Sequence, residues 1–440
     1  MTGATAPQAS LHSPAAPEAS LAPSPPAPPA PPVGLYVHVP FCVSLCPYCD
    51  FVVYAGAAAR GPTNRIDDFV DALATEIVLR ADAAEAAFGR DRPPLDSLYF
   101  GGGTPSLLPA ETIARLVELV RDRFGLAPGA EVTLEANPGP DERGDPAAQR
   151  RAGINRVSFG AQSLDRTELR RLGRRHRPAD VGDAVRAARA AGLGSVNLDL
   201  LYDLPDVALR DWIDTLEAAL ALEPDHLSLY ALTLDDPEAE GLNGPDGDHL
   251  PTKSGARRWR ELARPGQDED RAAAEYHHAV HRLAEGGWHG YEISNWARPG
   301  HESRHNLAYW ERRSYEAVGP GAHAFDGVTR RWNGARLDGY FMALSPDDGR
   351  PAELPPGGSE TLDEAAAAAE RVVLGLRTDR GVPLAAAYEP PLGDWFGWAL
   401  AAELLGVTDD ERVVLTTRGR LLSNELFARL VQARRAARSA

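Results

Sequence analysis

All three cysteines of this 440-residue chain stand in one run, Phe41-Cys42-Val43-Ser44-Leu45-Cys46-Pro47-Tyr48-Cys49-Asp50-Phe51. Three thiolates at C-x3-C-x2-C spacing can wrap one metal ion or cluster, but they fall one ligand short of a closed four-ligand site. A cubane 4Fe-4S cluster meets that count with one iron left open, where a small molecule can coordinate. Two plainer alternatives are a zinc ion completed by a histidine such as His38 and three unrelated thiols. Structural zinc more often shows paired C-x2-C units. With no further cysteines a disulfide framework is not expected, and a reducing cytoplasm suits an oxygen-sensitive centre.

The run C-x3-C-x2-C followed by an aromatic residue resembles the signature of the radical S-adenosylmethionine (SAM) superfamily. The preceding Tyr36-Val37-His38-Val39-Pro40-Phe41-Cys42 is similar to the branch that contains the HemW family of heme chaperones and the oxygen-independent coproporphyrinogen III oxidases (HemN). The resemblance implies that SAM chelates the open iron, and that an electron from the reduced cluster cleaves it to methionine and a 5'-deoxyadenosyl radical. A SAM pocket needs backbone donors, counter-charges and a ribose acceptor. Gly102, Gly103 and Thr104 form a turn whose missing side chains let the backbone approach the methionyl end. Asp199, at a strand end, can accept from ribose hydroxyls, as acids do in dinucleotide folds. Glu135 and Gln162 occupy comparable positions after the third and fourth strands. Arg174 offers a bidentate partner for the SAM carboxylate, although an arginine in a charged run is usually solvated. By motif position the resemblance assigns SAM contacts to Tyr36, Gly103, Thr104, Glu135, Gln162, Arg174 and Asp199. One departure is Asp203, which stands where relatives carry a glycine; if a positive φ is required there, Asp adopts it at modest cost.

Two features separate the chaperones from the oxidases. The oxidases carry a further cysteine two residues after the third, where this chain has Phe51, and a longer N-terminal region. The chaperones carry H-N-x-x-Y-W, matched here by His305-Asn306-Leu307-Ala308-Tyr309-Trp310. A histidine can ligate heme iron and aromatics can pack on the macrocycle, so His305 is the candidate heme ligand, with His323 a second. A buried turn satisfying backbone groups is the plainer alternative for this motif. The expectation is a HemW-like protein holding a 4Fe-4S cluster, SAM and heme, served by an electron donor protein and passing heme to an acceptor protein. A radical coproporphyrinogen III oxidase (dehydrogenase) of porphyrin biosynthesis is the alternative, and a zinc-structured binding module a third.

These residues need elements to position them. From Val33 to about Thr233 short β-rich runs alternate with amphipathic stretches. The strand candidates are Leu35–Val39, Ser97–Phe100, Glu131–Glu135, Arg156–Phe159, Ser195–Leu200 and His226–Ala231. Ile66–Leu79, Ile113–Phe124, Ala179–Ala191 and Leu209–Leu222 are helix candidates. Six β-then-α units require parallel strands with right-handed crossovers. Reactive residues just after several strand ends favour a barrel over a doubly wound sheet, and the resemblance implies the partial (β/α)6 radical SAM barrel. A core over 33–233 is followed by an insertion and extension over 234–350. Its acidic stretch Leu234–Asp270 reads as a loop insertion without assigned function. Residues 351–440 read as a mainly helical, winged-helix-like extension.

Composition excludes several classes. A formal charge of −17 leaves little room for the basic face that nucleic acid demands. No run of about 18 apolar residues occurs, so no membrane span is expected, and loose association with a membrane surface stays open. Residues 1–32 hold 23 Ala, Pro or Ser with Glu18 the only charge, which reads as a disordered tail lacking the apolar core of a secretory signal.

Overall fold

The computed structural model describes residues 28–56, 65–234, 244, 246–345, 349–388 and 393–439. The expected tail lies outside these up to residue 27; from there the chain is tied down, Ala30 N donating to Asp326 O at 2.8 Å.

Six parallel strands carry the core in chain order: β1 (Gly34–Val39), β2 (Leu95–Gly102), β3 (Leu126–Ala136), β4 (Arg156–Gln162), β5 (Ser195–Tyr202) and β6 (His226–Ala231). Helices α1 (Arg65–Phe88), α2 (Ala110–Arg123), α3 (Pro146–Arg151), α4 (Arg166–Arg171), α5 (Pro178–Ala190) and α6 (Leu209–Leu220) lie between them. Parallel strands need such crossovers, and because helices cover them the strands read as near-continuous apolar runs. Register follows that burial: Val37 opposes Phe100, Phe100 opposes Leu134, and Leu134 opposes Val157. Three short strands after the barrel extend the sheet: β7 (His289–Gly290), β8 (Asn295–Ala297) and β9 (Glu316–Val318). The full order is β9-β1-β2-β3-β4-β5-β6-β8-β7, with β9 parallel to β1 and β8 antiparallel to β6. The result is the expected partial (β/α)6 barrel, open between its flanks.

The segment after β9 is held by one buried carboxylate. Glu76 on α1, fully buried, accepts from Gly319 N (2.8 Å), Tyr340 Oη (2.7 Å), Asn333 Nδ2 (2.8 Å) and Arg80 Nε (3.2 Å). A buried charge costs stability unless its lone pairs are filled, and these four donors fill them. The contact fixes Gly319, four residues before His323.

The stretch from Leu234 to Asp270 departs from its loop reading. Ser254–Ala263 forms a helix, α7, which leads into α8 (Glu269–Glu285). Its Trp259 and Ala263 pack on the buried cluster of Leu172, Leu201, Leu204, Val207 and Leu232, so tertiary contact supplies what a weak apolar period could not. Beyond α9 (Arg304–Trp310), the C-terminal residues build a separate core of Leu376, Phe396, Leu405, Val413 and Leu430. It lies between the helices Glu364–Arg377 and Ser423–Ser439 and a three-stranded antiparallel wing. Among the described residues no helix is long and apolar enough to cross a membrane.

Candidate functional site

β1 ends at Val39, and the cysteine loop is folded back onto β2 by backbone bonds. Gly103 N donates to Val39 O (2.9 Å), Thr104 N to Phe41 O (2.8 Å) and Tyr54 N to Pro40 O (2.6 Å). The glycines serve this seam first. A Cβ on Gly103 would lie 2.6 Å from Phe41 O, and one on Gly102, whose φ is +109°, 2.5 Å from the His38 ring. The missing side chains let the cluster loop sit against the strand, a role beyond the approach to ligand expected from sequence. His38 is committed to the same seam: it is buried, with Nε2 bonded to Val52 O (2.8 Å) and Nδ1 to Tyr36 Oη (3.1 Å). Burial holds it neutral, its pKa lowered to about 4. A zinc site completed by His38 would have to break one of these bonds.

At the C-terminal ends of the strands lies a cavity of about 440 Å³, lined by all three cysteines and by Gly102, Gly103, Thr104, Glu135, Gln162, Arg174 and Asp199. Every expected cluster and SAM residue except Tyr36 is brought together there. Burial pushes the Cys42 thiol up to about 11 and Cys49 to about 12, with the neighbouring thiols adding to the rise. Thiolates packed this closely need a positive centre beside them, which an iron-sulfur cluster provides. Arg174 faces the same loop. Its guanidinium reaches Cys46 Sγ (3.5 Å), Gly160 O (2.7 Å) and Asn137, while its buried Nε has no protein partner among the described residues. Thr104 Oγ1 donates to Cys42 Sγ (3.5 Å) and accepts from Asn137 Nδ2 (3.1 Å).

The far wall is acidic. Glu135 accepts from Tyr99 Oη (2.8 Å) and Gly102 N (3.0 Å), and burial, aided by Asp199, raises it to about 7. Asp199 accepts from Asn197 Nδ2 (2.7 Å) and Ser158 Oγ (3.2 Å), and burial raises it too. Two desolvated carboxylates facing a cavity favour a cationic guest, and a sulfonium and an ammonium supply such charge. Buried Arg156 partly offsets them.

Sequence reading missed several of these partners. Ser158 and Asn197 sit two residues before Gly160 and Asp199 on the same strands, so the period of two already put them on the cavity face. Arg260, on α7, gave no signal. Its buried guanidinium donates to Pro47 O (3.3 Å), Cys49 O (3.3 Å) and the Asp50 carboxylate, clamping the cysteine loop from outside. Asp203 has φ +55°, as a glycine replacement requires, and its carboxylate binds Arg271 (3.1 Å).

Tyr36 lines a second cavity, about 330 Å³, with His38, Tyr309, Tyr315, Asp248, His249 and His323. Asp50 and Phe51 line both cavities. His305 lines neither. It is 1% exposed, its Nδ1 bonded to Ser97 Oγ (2.8 Å) and its Nε2 to Tyr309 Oη (2.7 Å), with Tyr99 stacked on the ring at 5.1 Å. Burial, then the Arg156 charge, lower its pKa to about 3. His323 is half-exposed, 3.1 Å from Asp248 Oδ2, and stacks on Trp332.

Residues 36–219 match the model of the radical SAM superfamily. The chain is 40% identical over 402 residues to the heme chaperone HemW of Mycobacterium tuberculosis (strain CDC 1551 / Oshkosh), covering 90% of this chain and 94% of that protein. It is 38% identical over 291 residues to heme chaperone HemW of Escherichia coli (strain K12), covering 66% of this chain and 69% of that one. In fold it is similar to the solved coproporphyrinogen III oxidase (HemN) of Escherichia coli, with a TM-score of 0.73 at 23% identity, over 91% of this chain and 90% of that one.

Proposed function

The chain belongs to the HemW family of radical SAM proteins, and from that premise we propose that it is a heme chaperone that binds heme and hands it to an acceptor protein. In this reading Cys42, Cys46 and Cys49 hold a 4Fe-4S cluster and the strand-end cavity holds SAM. When bound, the cluster supplies the electron that cleaves SAM and a coordination site for it. The chain's own residues bind and orient. Gly102, Gly103 and Thr104 hold the cluster loop beside the methionyl end, while Glu135 and Asp199 meet the cationic end and the ribose hydroxyls. Arg174 and Gln162 close the cavity beside Cys46. His305 enters as the residue that sets Tyr309, its ring nitrogens being engaged. An electron donor protein and a cytoplasmic location complete the proposal, since an oxygen-sensitive cluster needs a reducing compartment.

The observation that carries the reading is 40% identity to a heme chaperone maintained over 402 residues, through the barrel and the segment beyond it. Phe51, standing where the oxidases place a further cysteine, disfavours the oxidase; the structural likeness to HemN speaks for the fold alone. The test is a hemin titration of the reconstituted full chain, followed by mixing with apomyoglobin as a generic acceptor. Saturable binding with a shifted Soret band, then transfer, is expected. A flat titration would refute the chaperone reading.

A further inference from the structure

We infer that the second cavity seats the heme, and that His249, oriented by Asp248, is the histidine that reaches the iron. This rests on the heme-chaperone reading and gives it a location.

An axial imidazole needs one nitrogen with a free lone pair at an accessible wall, and its other N–H is commonly held by a carboxylate that fixes the tautomer. His249 has this arrangement. Its Nδ1 lies 2.9 Å from Asp248 Oδ1, which leaves Nε2 as the basic nitrogen, without a hydrogen-bond partner among the described residues. Asp248 is 8% exposed, and its second oxygen takes His323 Nε2 at 3.1 Å. One buried carboxylate thus steadies two imidazoles on one wall, and His323 is tied through its neighbouring loop to the Glu76 hub. His305 offers the opposite situation, with both nitrogens occupied behind Tyr309.

The remaining walls suit a macrocycle. Tyr309 and Tyr315 supply aromatic faces, and Phe51, 67% exposed, is a large apolar group at the shared rim that a flat apolar guest would cover. Because Asp50 and Phe51 also line the first cavity, a heme seated here would lie beside the cluster loop.

The test uses the full chain with its cluster reconstituted anaerobically, hemin as probe, and His249→Gly, Asp248→Asn and His323→Ala as variants. His249→Gly is expected to weaken hemin retention at least tenfold and to alter the spin-state signature, with iron and sulfide per chain unchanged. Added imidazole should restore both affinity and spectrum, which no purely structural defect would allow. Asp248→Asn should give a smaller loss, and His323→Ala a smaller one still. Wild-type affinity and spectrum in His249→Gly would overturn the assignment while leaving the chaperone reading intact. No saturable hemin binding by the wild-type chain would overturn both.

Discussion

The two cavities share Asp50 and Phe51 yet are built on different plans. The first is assembled from the ends of consecutive parallel strands, so each wall is a short contiguous motif whose neighbours are set by β-register. The second joins β1, α9, the loop after β9 and residues 248–249, drawn from across the chain and held by individual side chains. Strand-end sites therefore announce themselves in sequence, whereas sites made between distant segments depend on tertiary contacts such as the Glu76 hub. A guest of the first is therefore expected to be lost without disturbing the second.

The sharpest way to break the comparison is Cys46→Ser. It is expected to abolish the visible absorbance of the cluster while hemin binding stays at the wild-type level. Loss of both together would mean that the cavities are not independent. Gly103→Ala comes next, because its Cβ meets the backbone of Phe41, which cannot yield as a flexible side chain would. Overpacking of this kind costs about 1–3 kcal/mol, measurable by urea unfolding, and should lower iron per chain. Arg260→Ala should be of similar or smaller size, since removing this buried donor strands the carbonyls of Pro47 and Cys49 at about 1–3 kcal/mol. Its distinguishing readout is faster bleaching of the cluster by a chelator, with Arg260→Lys in between.

Per pH unit, the smallest expected effect separates the buried histidine from the accessible ones. His305 has a folded pKa of about 3, below its unfolded value, so between those values the unfolded chain binds the extra proton. Its contribution to stability is present above pH about 6.5 and is lost as pH falls toward 3, by at most about 1.4 kcal/mol per pH unit. His305→Asn should flatten that part of the slope in unfolding measured from pH 4 to 6.5. An unchanged slope would show that the ring titrates freely.

Much of the barrel was legible. All six strands fall where alternation and β-branched runs put them, although β3 begins five residues earlier than Glu131 and α1 runs nine residues past Leu79. Both extensions are exposed or alanine-rich ends, where the pattern fades before the structure does. The cysteine run and the glycine turn were readable because each follows a strand, and Asp199 because it lies on the cavity face of one. Tyr36 was assigned to SAM only by the resemblance at its motif position; its ring lines the second cavity with His38 and Tyr309. In the His305 motif the spacing of four to Tyr309 puts both on one helical face, and this pairing was available from the sequence alone. Arg260, Asp248 and His249 were not legible, since their roles come from where α7 and its approach dock, and no local pattern encodes that.

The most direct test of the central claim is to incubate the anaerobically reconstituted protein with SAM, reductant and coproporphyrinogen III, and to separate the tetrapyrroles by chromatography. A heme chaperone predicts no protoporphyrinogen IX from a preparation whose cluster is intact and which still binds and transfers hemin. Accumulation of protoporphyrinogen IX would make the protein an oxidase despite Phe51 and contradict the proposal.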